Sequence, residues 1–456
     1  MSPARRLSQA PATPMPPSPA FPAIPRGPAA ILRQIGPGLI ITATIVGSGE
    51  LIVTPKLGAS AGFTLLWFMI LGCLLKVFVQ IELGRHTVTT GTSSLQAMDA
   101  MPGPRWRVSW MVWIWAVMFI ATVFQIAGML GGVASVLALA GLPLPKAVTA
   151  CLIGGITAVL LVVGRYRTVE KASTAMVVAF TACTVVAVGA LQFTPYAITG
   201  ANLAEGLSFK LPATFTVAFA AFGVIGVGAS ELIYYPYWLI EKGYPRHVGP
   251  ADGSPGWLER ARGWNRVLHT DAWVSFVVYT GATLAFYLLG AAVLGRQGKD
   301  FSNADMIPTL SRMYVETFGP WSLWLFLIGA AAVLYSTIFG ATAANTRLIT
   351  DALEVFGWRR KGDEEQRRRS IRMLCVAFPV IWTVLYLLVG EPLTLVLVGA
   401  IAQGLMLPFL AILALRLHYK HTPPELRPGL LWRIGLWSAA ACMVTAGAYQ
   451  VASKLW

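Results

Sequence analysis

One nine-residue motif occurs twice in this chain, as GSGELIVTP at Gly47–Pro55 and as GASELIYYP at Gly228–Pro236. Each copy opens with small residues that weaken a helix, then sets a glutamate, a Leu-Ile pair and a proline at the same spacing. Both lie inside apolar stretches long enough to cross a bilayer, where an ionised carboxylate costs roughly 2.5–3.5 kcal/mol on insertion scales. Glu50 and Glu231 therefore mark corresponding breaks in two membrane helices. Such a pair implies inverted repeats whose broken helices meet near the bilayer centre, around a site that attracts cations.

The rest of the chain agrees. Of 456 residues, 56% are hydrophobic and 12% charged, about half the charged share of an ordinary globular domain. Apolar runs of about 20 residues recur, each enough for a helix across ~30 Å of hydrocarbon, and the alternating strands of a membrane barrel are missing. We read eleven spans, near 31–57, 63–86, 108–140, 147–164, 172–192, 213–240, 271–294, 319–346, 371–389, 393–415 and 430–452. The expected fold is an all-α polytopic bundle in one domain, 31–456. Repeat one occupies about 31–192, repeat two about 213–415, and the helix near 430–452 is an addition. Residues 1–30, rich in Pro, Ala and Ser, read as a disordered tail rather than a signal peptide.

The net charge of +15 raises nucleic acid as a partner, but the distribution of charge argues against it. With the N-terminus inside, the cytoplasmic segments hold 27 of the 35 Lys and Arg. The positive-inside rule then accounts for the basic balance, with the N-terminus in the cytoplasm, the C-terminus outside, and the plasma membrane as the expected location. The run WRRKGDEEQRRRS in the 351–370 loop is a solvated, orienting loop or a lipid headgroup contact. The five cysteines (Cys73, Cys151, Cys183, Cys375, Cys442) fall in apolar spans without metal-ligand spacing and read as small buried hydrophobes.

Topology tests the repeat. Span 1 runs outward and span 6, five crossings later, runs inward, so the two motifs point in opposite directions, as a two-fold axis in the membrane plane requires. The candidate binding residues are Gly47, Ser48, Gly49 and Glu50 in the first copy and Gly228, Ala229, Ser230 and Glu231 in the second. The carboxylates of Glu50 and Glu231 suit a hard divalent cation, with backbone carbonyls and Ser48 or Ser230 completing its shell. Lys76, in mid-span 2, either balances a glutamate or pairs locally. Glu82 and Arg85, three apart, read as a helix-surface ion pair. Tyr234 and Tyr235 either donate into the cavity or serve packing or interface roles, and Gln403 either supplies a carbonyl ligand or bonds between helices. No histidine sits mid-span, and no Walker A or HExxH motif occurs, so neither an enzyme nor a resident cofactor is expected.

The stretch GPGLIITATIVGSGELIVTPKLGASAGFTLLW, Gly36–Trp67, resembles the start of the NRAMP family of divalent-metal transporters, with GPG at the head of helix 1, a break, and a run into helix 2 ending LLW. Leu407–Phe409, LPF in span 10, is NRAMP-like as well. The resemblance implies a LeuT-type fold of five-plus-five inverted repeats with helices 1 and 6 broken. It also exposes departures. Gly47 stands where the family has its metal-binding aspartate and Glu50 where it has an asparagine. Gly228 takes the place of the methionine that meets soft metals, and Ser230 that of a histidine linked with protons. Phe119–Gly132 in span 3 lacks the acidic residues of the family's proton route. Loss of sulfur and gain of a carboxylate favour a hard ion such as Mg, Ca or Mn over soft transition metals. The first reading is a secondary transporter of a divalent cation. The alternative is a LeuT-type carrier of a small organic solute coupled to protons or a monovalent cation, and the third is a non-transporting sensor.

Overall fold

The computed structural model describes residues 24–47, 49–163, 166–210, 215–298, 305–360 and 362–455. Ten of its helices are long and apolar enough to cross a membrane. They are helix 1 (Pro37–Ala61), helix 2 (Leu66–Thr90), helix 3 (Trp110–Leu139), helix 5 (Ala175–Phe193), helix 6 (Thr216–Lys242), helix 7 (Pro255–Gly295), helix 8 (Ser322–Val355), helix 9 (Glu364–Val389), helix 10 (Pro392–His421) and helix 11 (Leu430–Ala452). Helix 4 is the shorter apolar segment Lys146–Val162, which at 1.5 Å per residue is about 25 Å long. The eleven expected spans thus correspond to eleven helices. A two-stranded hairpin, Arg105–Trp106 against Val108–Ser109, precedes helix 3.

Burial separates the helices by role. In helix 6, 83% of the most apolar window is buried, and in helix 1, 76%, against 28% in helices 5, 9 and 11. The broken helices form the centre, while Val178, Val186, Val380, Leu388 and Ile434 on the outer helices present apolar side chains outward, as a lipid-facing belt requires.

Several boundaries differ from the sequence reading: helix 8 runs on to Val355 and helix 9 starts at Glu364, and the largest difference is at helix 7. Helix 7 begins at Pro255 rather than near 271, because Ser254 caps it: its hydroxyl accepts from the Trp257 amide (3.1 Å), with Pro255 in the first turn. The polar turns of this extension, ERARGWNRVLHT, are helical without being apolar. The last residues of the expected tail are also folded. A short helix covers Pro28–Leu32, Ile24 packs on Gly263, and Arg26 pairs with Glu259 at 3.1 Å; residues 1–23 lie outside the described residues.

Both motif copies break their helices. Helix 1 runs α-helical over Pro37–Ile45, turns at Val46 and Gly47, and resumes through a wide π-turn, Gly49–Val53, into Thr54–Ala61. Helix 6 runs over Phe215–Val224, bends through Ile225–Val227, and resumes at Ala229–Lys242. Gly226 supplies the bend with a φ of +54°, a conformation that a side chain disfavours. Beyond its break, helix 1 lies in backbone contact with the end of helix 7. A Cβ on Gly58 would stand 2.5 Å from the Tyr287 carbonyl oxygen, and one on Gly290 2.6 Å from that of Pro55.

Candidate functional site

The two breaks touch. The Gly226 amide at the bend of helix 6 donates to Glu50 Oε1 (3.2 Å), and the Thr283 hydroxyl of helix 7 donates to the same oxygen (2.9 Å). The other oxygen, Oε2, is buried without a hydrogen-bond partner among the described residues. Glu50 is entirely shielded from solvent, whereas Glu231 is partly accessible.

Each glutamate falls in the first turn of the second half of its helix. There the unpaired amides and the helix dipole favour negative charge. A half-helix N-terminus inside a membrane bundle can hold an anionic group; here the chain fills both such ends with its own carboxylates. The Glu231 side chain bends back over its helix start, so a Cβ on Gly228 would meet Glu231 Oε2 at 2.5 Å and Gln403 Oε1 at 2.8 Å.

Lys76 answers the opposite pole. Its ammonium, fully buried, donates to the carbonyl oxygens of Phe222 and of Ile225 (2.7 Å), at the C-terminal end of the first half of helix 6. It lies within electrostatic range of Glu50 and Glu231. Of the two sequence alternatives, local pairing and charge balance, Lys76 therefore serves the first through backbone carbonyls while standing near both carboxylates.

The remaining candidates divide. Gln403 Oε1 accepts from the Ser230 amide (2.9 Å) and its Nε2 donates to Gln125 on helix 3 (2.8 Å), so Gln403 bonds between helices at the edge of the site. Tyr234 donates to Asn345 on helix 8 (2.6 Å). Tyr235 turns away from the break and donates to Asp271 (2.9 Å). Gly47 is packed against helix 8, where a Cβ would fall 2.0 Å from Thr337 Oγ1, and Gly49 against the Val224 carbonyl at 2.9 Å. Ala229 and Ser230 begin the second half of helix 6, both buried; Ser48 lies outside the described residues.

Three features escaped the sequence reading. Asp271 of helix 7, fully buried, accepts from the amides of Gly36 (2.8 Å) and Gly38 (2.7 Å), capping helix 1 from another helix. Cys73, one turn before Lys76, lies within electrostatic range of Glu50 and beside Thr280 and Thr283. Glu82 and Arg85 are not on a helix surface. Both are buried, and one carboxylate oxygen of Glu82 takes the Arg85 guanidinium, the Trp432 indole (2.5 Å) and His418 Nδ1 (3.2 Å). Helices 10 and 11 cover a pair that local spacing alone leaves exposed.

Among the described residues no three His, Cys, Asp or Glu side chains stand close enough to hold a metal together. A cation at the breaks would depend on one or two carboxylates with hydroxyls and freed carbonyls, a donor set of oxygens.

Comparison with known proteins bears on this geometry. Residues 38–453 match the family model of natural resistance-associated macrophage protein-like (Nramp) proteins. No curated protein matches the sequence. Among solved structures, the manganese transporter of Eremococcus coleocola, in complex with an aromatic bis-isothiourea compound, aligns over 93% of this chain and 87% of its own at 15% identity, TM-score 0.67. A variant of the same transporter aligns equally well at 14% identity. Mhp1, a nucleobase-cation-symport-1 family transporter in a closed conformation with bromovinylhydantoin bound, aligns over 91% of this chain and 92% of its own at 12% identity, TM-score 0.56. At such identities these matches speak for the fold, which is LeuT-type, with five-plus-five inverted repeats around broken helices 1 and 6. An integral, multi-pass membrane protein and a metal-ion transporter rather than an enzyme, the chain belongs to the Nramp family.

Proposed function

We propose that the chain moves a hard divalent cation, such as Mg, Ca or Mn, by alternating access, with Glu50 and Glu231 as its charged ligands. One observation carries this reading: a carboxylate oxygen, Glu50 Oε2, is buried at the contact of the two helix breaks with no hydrogen-bond partner among the described residues. A buried, unpaired acceptor is costly, and a cation arriving at the break relieves that cost. Ser230 and the freed carbonyls within the breaks, with Thr283 from helix 7, are the neutral oxygens there, and Lys76 stands beside them as a resident positive charge that a second cation must outweigh. Manganese, the ion named for the Eremococcus coleocola transporter, falls within the class. In this reading Gly47, Ser48, Gly49, Gly228 and Ala229 shape the cavity, and the parts of helices 1 and 6 that flank the breaks move against the rest of the two repeats, about 31–192 and 213–415, in the plasma membrane, N-terminus inside and C-terminus outside.

The test is flux into proteoliposomes with Mg, Ca and Mn offered separately to the native chain, Glu50→Gln and Glu231→Gln. Metal-specific flux lost in both variants is expected. Well-folded native protein that moves none of the three would end the metal reading and direct the search to small organic solutes coupled to protons or a monovalent cation.

A further inference from the structure

A second polar site lies at the end of the bundle where helix 7 begins. A cavity of about 680 Å³ opens between helices 2 and 7 and the connection from helix 10 to helix 11, lined by Arg85, Arg262, Asn265, Arg266, His269 and Arg427 among others. Arg262, Asn265, Arg266 and His269 follow the spacing of one helical face, so a whole polar stripe of helix 7 is turned to this cavity. Arg427 reaches in from the opposite connection, its guanidinium held by the carbonyls of Thr422 (2.9 Å) and Tyr419 (2.9 Å). Arg85 forms the inner wall, buried, with Glu82 behind it and His269 Nε2 at 3.0 Å.

The charges do not balance within the wall. Glu425 is the acidic residue that lines the cavity, and Glu82 answers Arg85. Arg262 and Arg266, both exposed and one turn apart, have no ion pair among the described residues. Like charges at that spacing repel. Asn265, between them and only 8% exposed, has a side-chain oxygen with no hydrogen-bond partner among the described residues. An amide so placed either accepts from a hydroxyl or, turned over, donates to an oxyanion. Ile31, Leu426 and Pro428 give one side of the cavity an apolar lining.

We infer that this cavity binds a phosphate ester, with Arg262, Arg266 and Arg427 gripping the phosphate oxygens and Asn265 a hydroxyl or ester oxygen. Several planar guanidiniums lining one cavity suit phosphate. Basic pockets between membrane helices at this level hold anionic lipid headgroups, and a soluble phosphate ester offers the same chemistry. The arginines disfavour a metal cation here, and none of the described residues of the two helix breaks lines this cavity.

The experiment is binding, and it needs no transport. Purified full-length protein is analysed by native mass spectrometry with phosphatidylglycerol or phosphatidylcholine added, and by calorimetric titration with glycerol 3-phosphate and inorganic phosphate. The native chain, Arg262→Gln, Arg266→Gln, the double variant, and Asn265→Asp are compared. Both arginines are exposed, so the variants retain the fold. At about 1 kcal/mol per arginine, each single variant weakens binding roughly fivefold and the double variant about 25-fold. Selective retention of phosphatidylglycerol assigns the site to a lipid, and binding of glycerol 3-phosphate or inorganic phosphate without lipid selectivity assigns it to a soluble ligand. Absence of all binding, or binding that the variants leave unchanged, overturns the inference.

Discussion

Replacing Lys76 with methionine removes one ammonium and leaves the side chain nearly as long. In the native chain that ammonium is fully buried and donates to two carbonyls at the end of the first half of helix 6. A hydrogen bond to a charged group contributes about 1.5–3 kcal/mol, so the two bonds together are worth about 3–6 kcal/mol. Removing one partner from a buried charged cluster costs a comparable ~3–5 kcal/mol. Either figure is a large part of the ~5–15 kcal/mol that keeps a domain folded. The substitution also takes the resident positive charge from beside Glu50 and Glu231, which leaves a divalent cation less to compete with. The variant should therefore unfold at a lower temperature without metal and gain more from metal than the native chain does. Saturation at 100 times the dissociation constant contributes about 2.7 kcal/mol, and tighter binding in the variant enlarges that gain at any fixed metal concentration. Thermal unfolding in detergent, followed by tryptophan fluorescence with and without Mn, reads both effects. A Lys76→Met protein within about 1 kcal/mol of the native chain, with an unchanged response to metal, would refute the reasoning.

Two further substitutions test the packing around the breaks. Asp271→Ala orphans the amides of Gly36 and Gly38 and the hydroxyl of Tyr235; at about 1–3 kcal/mol for each buried unsatisfied group, it should lower the unfolding temperature markedly, whereas Asp271→Asn keeps one of the two acceptor oxygens and should lose less. Gly47→Ala sets a methyl 2.0 Å from Thr337 Oγ1 and should cost about 1–3 kcal/mol by overpacking; Thr337→Ala in the same chain should return part of that loss, measured as a double-mutant cycle in thermal unfolding.

Much of this architecture was legible because membrane spans and helix breaks are written locally. Apolar length marks the helices, and small residues followed by a glutamate mark both breaks, which the structure brings into contact between Glu50 and Gly226. What was illegible depends on partners distant in sequence. The ammonium of Lys76 bonds backbone atoms of helix 6, and backbone carries no residue signature. Asp271 sits where hydropathy suggested the rim of a span, and only the longer helix 7, with its polar opening turns, places it inside. Glu82 and Arg85 have the spacing of a surface pair, but His418 and Trp432, from helices 10 and 11, close over them. Tyr235 shares a motif with Glu231, yet helical geometry turns it toward Asp271 instead of the break.

The glycine contact between helix 1 and helix 7 has a mechanical consequence. Where Gly58 meets the Tyr287 carbonyl and Gly290 meets that of Pro55, no layer of side chains lies between the backbones to change rotamers and let one helix slide along the other. The two segments behave as a weld, and a push on either is borne by both. Just past the weld, Arg296 bonds Ala197 (3.0 Å) and Asn202 (3.0 Å) in the connection that leads to helix 6. The second half of helix 1 is thus fastened, through the tip of helix 7, to the connection between helices 5 and 6. Load applied at the break of helix 1 is therefore shared with helix 7 and with the connection that follows helix 5.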